Sequence, residues 1–157
     1  MADVGDPAPA VTLTRADGTP VQLSEYLGKG TVVLYFYPKD HTAGCTAEAC
    51  SFRDAYEDFK SAGAEVIGVS ADDGQTHQGF KDKHKLPFVL LSDPTGEAAK
   101  AMGVKRSFLG LIPGRVTFVI DRAGIIRHRF ESAINMQKHI DEALTLVKKL
   151  VQQPSAA

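Results

Sequence analysis

The run Thr31-Val32-Val33-Leu34-Tyr35-Phe36-Tyr37 constrains this chain more than any other stretch, being nearly continuous in β-branched and aromatic residues and closed by Pro38. Such a run reads as a strand buried on both faces, since a half-exposed strand alternates apolar with polar residues. Beyond it, Cys45, Ala49, Phe52, Tyr56 and Phe59 recur at steps of four and three, which sets them on one face of a helix. Gly63 offers that helix a stop, and Glu65 to Ser70 reads as a second strand. Strand, helix and strand form a βαβ unit with a parallel pair.

The remaining pattern extends this unit. Gln75 to Lys85 is expected as a surface helix, Phe88 to Leu91 as a short strand and Gly96 to Met102 as a short helix. Val116 to Ile120 and Ile125 to Phe130 flank Asp121-Arg122-Ala123-Gly124, a turn of hairpin length. Met136, Ile140, Leu144, Val147 and Val151 mark a closing amphipathic helix, after which residues 152–157 form a tail with nothing to bury. Ahead of the main unit, Val11 to Leu13 and Val21 to Leu23 surround Asp17-Gly18, the pattern of an N-terminal β-hairpin extension. The order predicts an α/β, thioredoxin-like fold: one domain over 1–157 with a central mixed sheet flanked by helices.

Composition narrows the function. A net charge of -1 with thinly spread basic residues gives no footprint for nucleic acid or an anionic membrane. No apolar run reaches the length of a membrane span, and the opening Met1-Ala2-Asp3-Val4-Gly5-Asp6 lacks the basic and apolar regions of a signal peptide. The expectation is a cytoplasmic protein, or an organellar one whose transit peptide has been removed. Gly28-Lys29-Gly30-Thr31 resembles a fragment of a phosphate loop, but the full motif is absent and a strand follows it instead of a helix. The five histidines share no ligand spacing, so no metal site is expected.

Two cysteines, Cys45 and Cys50, are too few for a disulfide scaffold. They are either two small buried hydrophobes or a reactive pair. Cys45 falls where strand gives way to helix, where unpaired N–H groups and the positive end of the macrodipole favour an anion such as a thiolate, the nucleophilic form of cysteine. Gly44 permits close backbone approach, and Thr42 places a hydroxyl three residues before the sulfur. On an intact helix the two cysteine Cα atoms would stand about 8.7 Å apart, beyond the roughly 7 Å limit for a disulfide. Cys50 shares a more polar flank with Thr46, Arg53 and Glu57. A bond between the cysteines therefore requires the first turns of the helix to unwind.

Pro38, Thr42 and Cys45 stand in the spacing P-x-x-x-T-x-x-C, inside Phe36-Tyr37-Pro38-Lys39-Asp40-His41-Thr42-Ala43-Gly44-Cys45-Thr46-Ala47-Glu48. This segment resembles the active-site segment of peroxiredoxins, above all the subgroup called bacterioferritin comigratory protein or peroxiredoxin Q. Gly5-Asp6-Pro7-Ala8-Pro9 looks like the family's opening and Gly114-Arg115-Val116-Thr117-Phe118-Val119-Ile120-Asp121 like its later strand, so the resemblance spans almost the whole chain. Members often carry proline where Ala43 stands.

The resemblance implies a thiol peroxidase that reduces hydrogen peroxide and organic hydroperoxides without a metal or organic cofactor. Cys45 would be the peroxidatic nucleophile and Cys50 the resolving thiol. Thr42 would hydrogen-bond the peroxide, Arg115 would stabilise the thiolate and polarise the oxygen pair, and Glu48 would orient that arginine. Pro38 and Gly44 would shape the loop. Recycling is expected from thioredoxin or a related dithiol, and the resemblance leans toward a monomer. A disulfide oxidoreductase on the same fold usually separates its cysteines by two residues; here four intervene. A redox-sensing or chaperone-like binding module is the rival from another class, distinguished by oxidising once without cycling. The apolar connection Ser107-Phe108-Leu109-Gly110-Leu111-Ile112-Pro113 is a candidate lining for the substrate entrance.

Overall fold

The structure, a computed structural model, describes residues 3–104, 106–107, 112–132 and 135–152. Strand β3 (Thr31–Phe36) is buried at every position, as the apolar run requires. Its side chains alternate between two cores. Val32, Leu34 and Phe36 face Ile67, Val69, Leu91 and Phe118 on one side. Val33 and Tyr35 face Cys45, Ala49, Phe52 and Phe59 on the other. Two buried faces mean two covering layers.

Strand β3 pairs in parallel with β4 (Ala64–Ser70), and β4 in parallel with β5 (Val89–Ser92). On its other edge β3 pairs antiparallel with β8 (Val116–Ile120), which forms the expected hairpin with β9 (Ile126–Glu131). The N-terminal strands β1 (Thr12–Thr14) and β2 (Pro20–Gln22) make their hairpin and, through Thr14 opposite Ser92, add it to the far edge. The hairpin is thus part of one seven-stranded mixed sheet, order β2-β1-β5-β4-β3-β8-β9.

Between β3 and β4 the periodic stretch forms two helices instead of the single one its stripe implies. Helix α1 (Ala43–Asp54) and helix α2 (Tyr56–Ser61) are separated at Ala55, which closes the first and caps the second. The apolar stripe continues across the break, because Cys45, Ala49, Phe52, Tyr56 and Phe59 all enter the same core. Helix α3 (Gly74–His84) ends on Lys85 in the left-handed region, and α4 (Glu97–Ala101) places Ala98 and Ala99 in the opposite core. Two short strands, β6 (Arg106–Ser107) and β7 (Ile112–Pro113), pair where a plain connection is expected. The intervening Phe108 to Leu111, proposed to line an entrance, lie outside the described residues, as do residues 153–157 of the tail.

Helix α5 (Met136–Gln152) closes the chain against α1 and β8. Its buried stripe is turned slightly from the sequence-based one: His139, Ile140, Ala143 and Val147 are buried, whereas Val151 is exposed. No helix among the described residues is long and apolar enough to cross a membrane.

Candidate active site

The loop from Pro38 to Thr42 leads from the end of β3 into α1, and a buried polar network pins it. The Tyr37 hydroxyl donates to Asp40 Oδ1. Asp40 Oδ2 lies 2.5 Å from His77 Nδ1, and His77 Nε2 lies 3.0 Å from the Leu91 carbonyl. Both ring nitrogens thus face oxygen atoms, which fixes the ring beneath the loop. The Asp40 N–H donates to Asp72 Oδ2 at 2.7 Å, which also accepts from Ser70 Oγ at 2.7 Å. Asp40, Asp72 and His77 bring ligand-type atoms within 4.8 Å of one another, but these atoms are engaged with each other and with their neighbours. With Asp40 held, His41 turns the chain through the left-handed region at φ 62°, a geometry histidine tolerates better than a β-branched residue.

Thr42 is the N-cap residue of α1 by backbone conformation, yet its side chain does not cap. Its hydroxyl donates instead to the Lys39 carbonyl at 2.7 Å, while its own carbonyl accepts the first helical bond, from Thr46 N–H at 2.8 Å. Ala43 occupies the first helical position, where proline fits as well because that N–H has no intrahelical partner. Alanine and proline both fit this position, so the departure from the family pattern removes no hydrogen bond from the helix start.

Cys45 follows in the first turn and is 1% exposed. Arg115 reaches it from just before β8: Nη2 donates to Cys45 Sγ at 3.4 Å, and Nη1 donates to Glu48 Oε1 at 2.6 Å. The fork of one guanidinium thus spans the sulfur and the carboxylate, a double contact that a lysine ammonium cannot reproduce. Glu48 is 0% exposed and Arg115 7%. Burial pushes the Glu48 carboxyl up to about 7 against the opposing pull of Arg115. The negative charges of Glu48 and Cys45 raise Arg115 in turn, against the effect of its own burial. Glu48 lies in the second turn of α1, so a first-turn dipole contact is not its role.

Gly44 serves packing more than backbone flexibility. A Cβ built there would lie 2.8 Å from Met136 Cε and 3.2 Å from Arg115 Nη2. The methionine tip can swing away; the guanidinium can move only by loosening its grip on Cys45. Gly44→Ala is therefore expected to slow reaction with hydrogen peroxide by about tenfold, overpacking outweighing the roughly 1 kcal/mol helix-propensity gain of alanine. Stopped-flow rates beside a thermal melt would check this, and an unchanged rate would mean that the guanidinium accommodates the methyl group.

Cys50 is half-buried, and both cysteines are free thiols. They share the continuous helix α1. Helix α1 is tied to α3 by Arg53, whose Nη1 donates to the His84 carbonyl at 2.8 Å. Of the sequence-selected residues, Cys45, Glu48 and Arg115 meet directly and Gly44 packs against that meeting; Pro38 and Thr42 lie in the loop before α1, and Cys50 lies farther along that helix.

His77, Asp40, Tyr37, His139 and Thr117 escaped the sequence reading. His77 and Asp40 are 37 residues apart, a separation no spacing rule covers. For His139 a signal existed: it lies three residues after Met136 and four before Ala143, a polar residue on the buried stripe of α5.

Residues 4–129 match the AhpC/TSA family. The chloroplastic peroxiredoxin Q of Suaeda salsa is 50% identical over 146 residues, covering 93% of this chain and 68% of the relative. Among solved structures, peroxidoxin BcpB from Mycobacterium tuberculosis superposes with a TM-score of 0.88 at 37% identity, covering 96% of this chain and 99% of that one. The bacterioferritin comigratory protein of Xanthomonas campestris, studied for its alkyl peroxide reduction activity, superposes at 0.79 with 29% identity, covering 90% and 92%. The chain belongs to the AhpC/TSA family and, within it, to the peroxiredoxins of the Q type, which makes it a thiol-dependent peroxidase.

Proposed function

We propose that Cys45 is the peroxidatic thiol and Cys50 the resolving thiol of this peroxidase. The observation that carries the reading is the Arg115 fork, with Cys45 Sγ on one arm and Glu48 on the other. A cation donating to sulfur favours the thiolate, and its fixed charge also meets the charge that moves onto the leaving oxygen as the O–O bond breaks. The Thr42 hydroxyl spends its proton on Lys39, so toward a peroxide its oxygen acts as the acceptor of the O–H. Thr42 and Arg115 thus supply acceptor and donor, which fixes the orientation of a hydroperoxide.

The cycle opens with attack of the thiolate on the terminal oxygen of hydrogen peroxide or an organic hydroperoxide. An S–O bond forms, the O–O bond breaks, and water or an alcohol leaves, with Cys45 as sulfenic acid. Cys50 then attacks that sulfur and expels water. Its location on the same intact helix means the disulfide forms only after the start of α1 unwinds. An external dithiol of the thioredoxin kind restores both thiols by exchange. We place the enzyme as a single-domain monomer in a thiol-reducing compartment. The chloroplastic relatives favour the organelle alternative over the cytoplasm.

The test is one equivalent of hydrogen peroxide on the reduced protein, a thiol-alkylating quench and the intact mass. The expected result is loss of both alkylation sites within seconds in the parent, and arrest of Cys50→Ser at a sulfenic acid. If instead the parent retained both labels and Cys50→Ser its single label under the same conditions, the assignment would fail. A sensor module is distinguished by continued substrate consumption with thioredoxin, which a protein that oxidises once cannot sustain.

A further inference from the structure

Three ionisable side chains, Cys45, Glu48 and Arg115, are buried together. If thiolate and carboxylate were ionised at once, two negative charges would face one positive charge away from water, a costly imbalance. The second oxygen of Glu48 bears on this. Oε1 takes the Arg115 bond, but Oε2 is buried without a hydrogen-bond partner among the described residues. Beside it, 3.6 Å away, is His139 Nδ1.

The hydrogen bonds of His139, which is 0% exposed, settle its tautomer. Nε2 lies 2.8 Å from the Ser132 carbonyl, which can only accept, so Nε2 carries the proton. In the neutral ring, Nδ1 then presents a lone pair. The Thr117 hydroxyl, 2.7 Å away, donates to it. The same edge of the ring faces Glu48 Oε2. With that lone pair engaged by Thr117, an added proton rests on Glu48 Oε2, and the electron-rich edge of the ring 3.6 Å away favours the neutral carboxyl over the carboxylate.

We infer that Glu48 Oε2, set beside His139 Nδ1, is the site that takes up the proton Cys45 releases and gives it up when the thiolate is consumed. The inference rests on Cys45 being the peroxidatic thiol. In the first step the thiol and ionised Glu48 become thiolate and protonated Glu48, so the buried charge is unchanged. In the second, thiolate, hydroperoxide and one proton give sulfenic acid and alcohol: sulfur loses two electrons, the O–O bond breaks, and the leaving oxygen is protonated. Glu48 releases one proton in the same step, exchanged through solvent, and in its ionised form again balances Arg115. His139 acts through Glu48 and is a positioning residue.

The groups that bear on this pair are Cys45 from α1, Arg115 before β8, Tyr35 from β3 and Glu142 from α5. Arg115 opposes a charge on His139 and Glu142 favours one, while burial, the larger effect, pushes His139 down. Burial pushes Glu48 up. Both directions favour the carboxyl over the ring as the holder of the proton.

The experiment is an infrared difference spectrum of reduced Cys50→Ser at pH 6 on adding one equivalent of hydrogen peroxide, with intact mass read in parallel. The expected result is loss of a protonated carboxylic acid band and gain of carboxylate as the sulfenic acid forms. Carbon-13 labelling of glutamate assigns the band without a substitution, so the result does not depend on Glu48→Gln folding. His139→Asn is expected to shift the band and to move the alkylation profile of Cys45 about one pH unit higher, a tenfold loss of reactivity at fixed low pH. A purely structural histidine would leave both unchanged. Sulfenic acid formation with no carboxyl change overturns the inference, and no oxidation of Cys45 overturns the peroxidase assignment beneath it.

Discussion

The Cys45→Ser protein is expected to consume hydrogen peroxide at a rate roughly 10⁴-fold or more below the parent, because the reacting atom itself has been replaced. A serine hydroxyl beside Arg115 stays protonated at neutral pH, and oxygen cannot take up the peroxide oxygen as sulfur does. The fold should survive. Serine fits the volume of Cys45 in the core beneath Tyr35 and Phe52, and its hydroxyl can accept the bond that Arg115 Nη2 gives to sulfur. The measurement is peroxide consumption with a dithiol reductant, beside a thermal melt. Residual turnover near the parental rate would transfer the nucleophile to Cys50 and reverse the assigned roles.

Arg115→Leu should lose on two counts that can be separated. Removing the charge that faces the sulfur and the leaving oxygen is expected to lower the second-order rate by about 10² to 10³. It also leaves the Glu48 carboxyl buried without its Arg115 partner, and an unsatisfied buried polar group of this kind costs about 1 to 3 kcal/mol of stability. The double variant Arg115→Leu with Glu48→Gln removes the stranded carboxyl. It should regain most of the stability and none of the rate. Denaturant melts and stopped-flow rates on the two proteins check both halves. Recovery of rate in the double variant would mean that Arg115 acts only as a partner for Glu48, with no part in the reaction.

How much of this was legible beforehand depends on the range of the interaction. Strand β3 could be read because a strand covered on both faces is apolar throughout, and the stripe of α1 and α2 because burial acts on every third or fourth residue of a helix. The break at Ala55 could not, since the stripe passes through it unchanged. The hairpin of β1 and β2 was legible as a local turn, but its addition to the main sheet was not: that depends on a free edge at β5, 78 residues from Thr14 at the point of pairing.

The same division runs through the site. Local sequence by itself determined the βαβ unit, a cysteine at the start of a helix, and a second cysteine too far along that helix to bond without unwinding it. Periodicity and helix geometry suffice for these. Arg115 was placed at the sulfur only by resemblance, because nothing in a strand sequence tells a buried arginine from an exposed one. Only the tertiary structure joined Arg115 to Glu48 across 67 residues and to Cys45 across 70. It alone set His139 from the last helix behind Glu48, and closed Asp40 onto His77 beneath the loop. These contacts are polar, buried and long in range. Their energy comes from pairing groups that burial would otherwise leave unsatisfied, and that pairing does not exist until the sheet brings its strands and covering helices together.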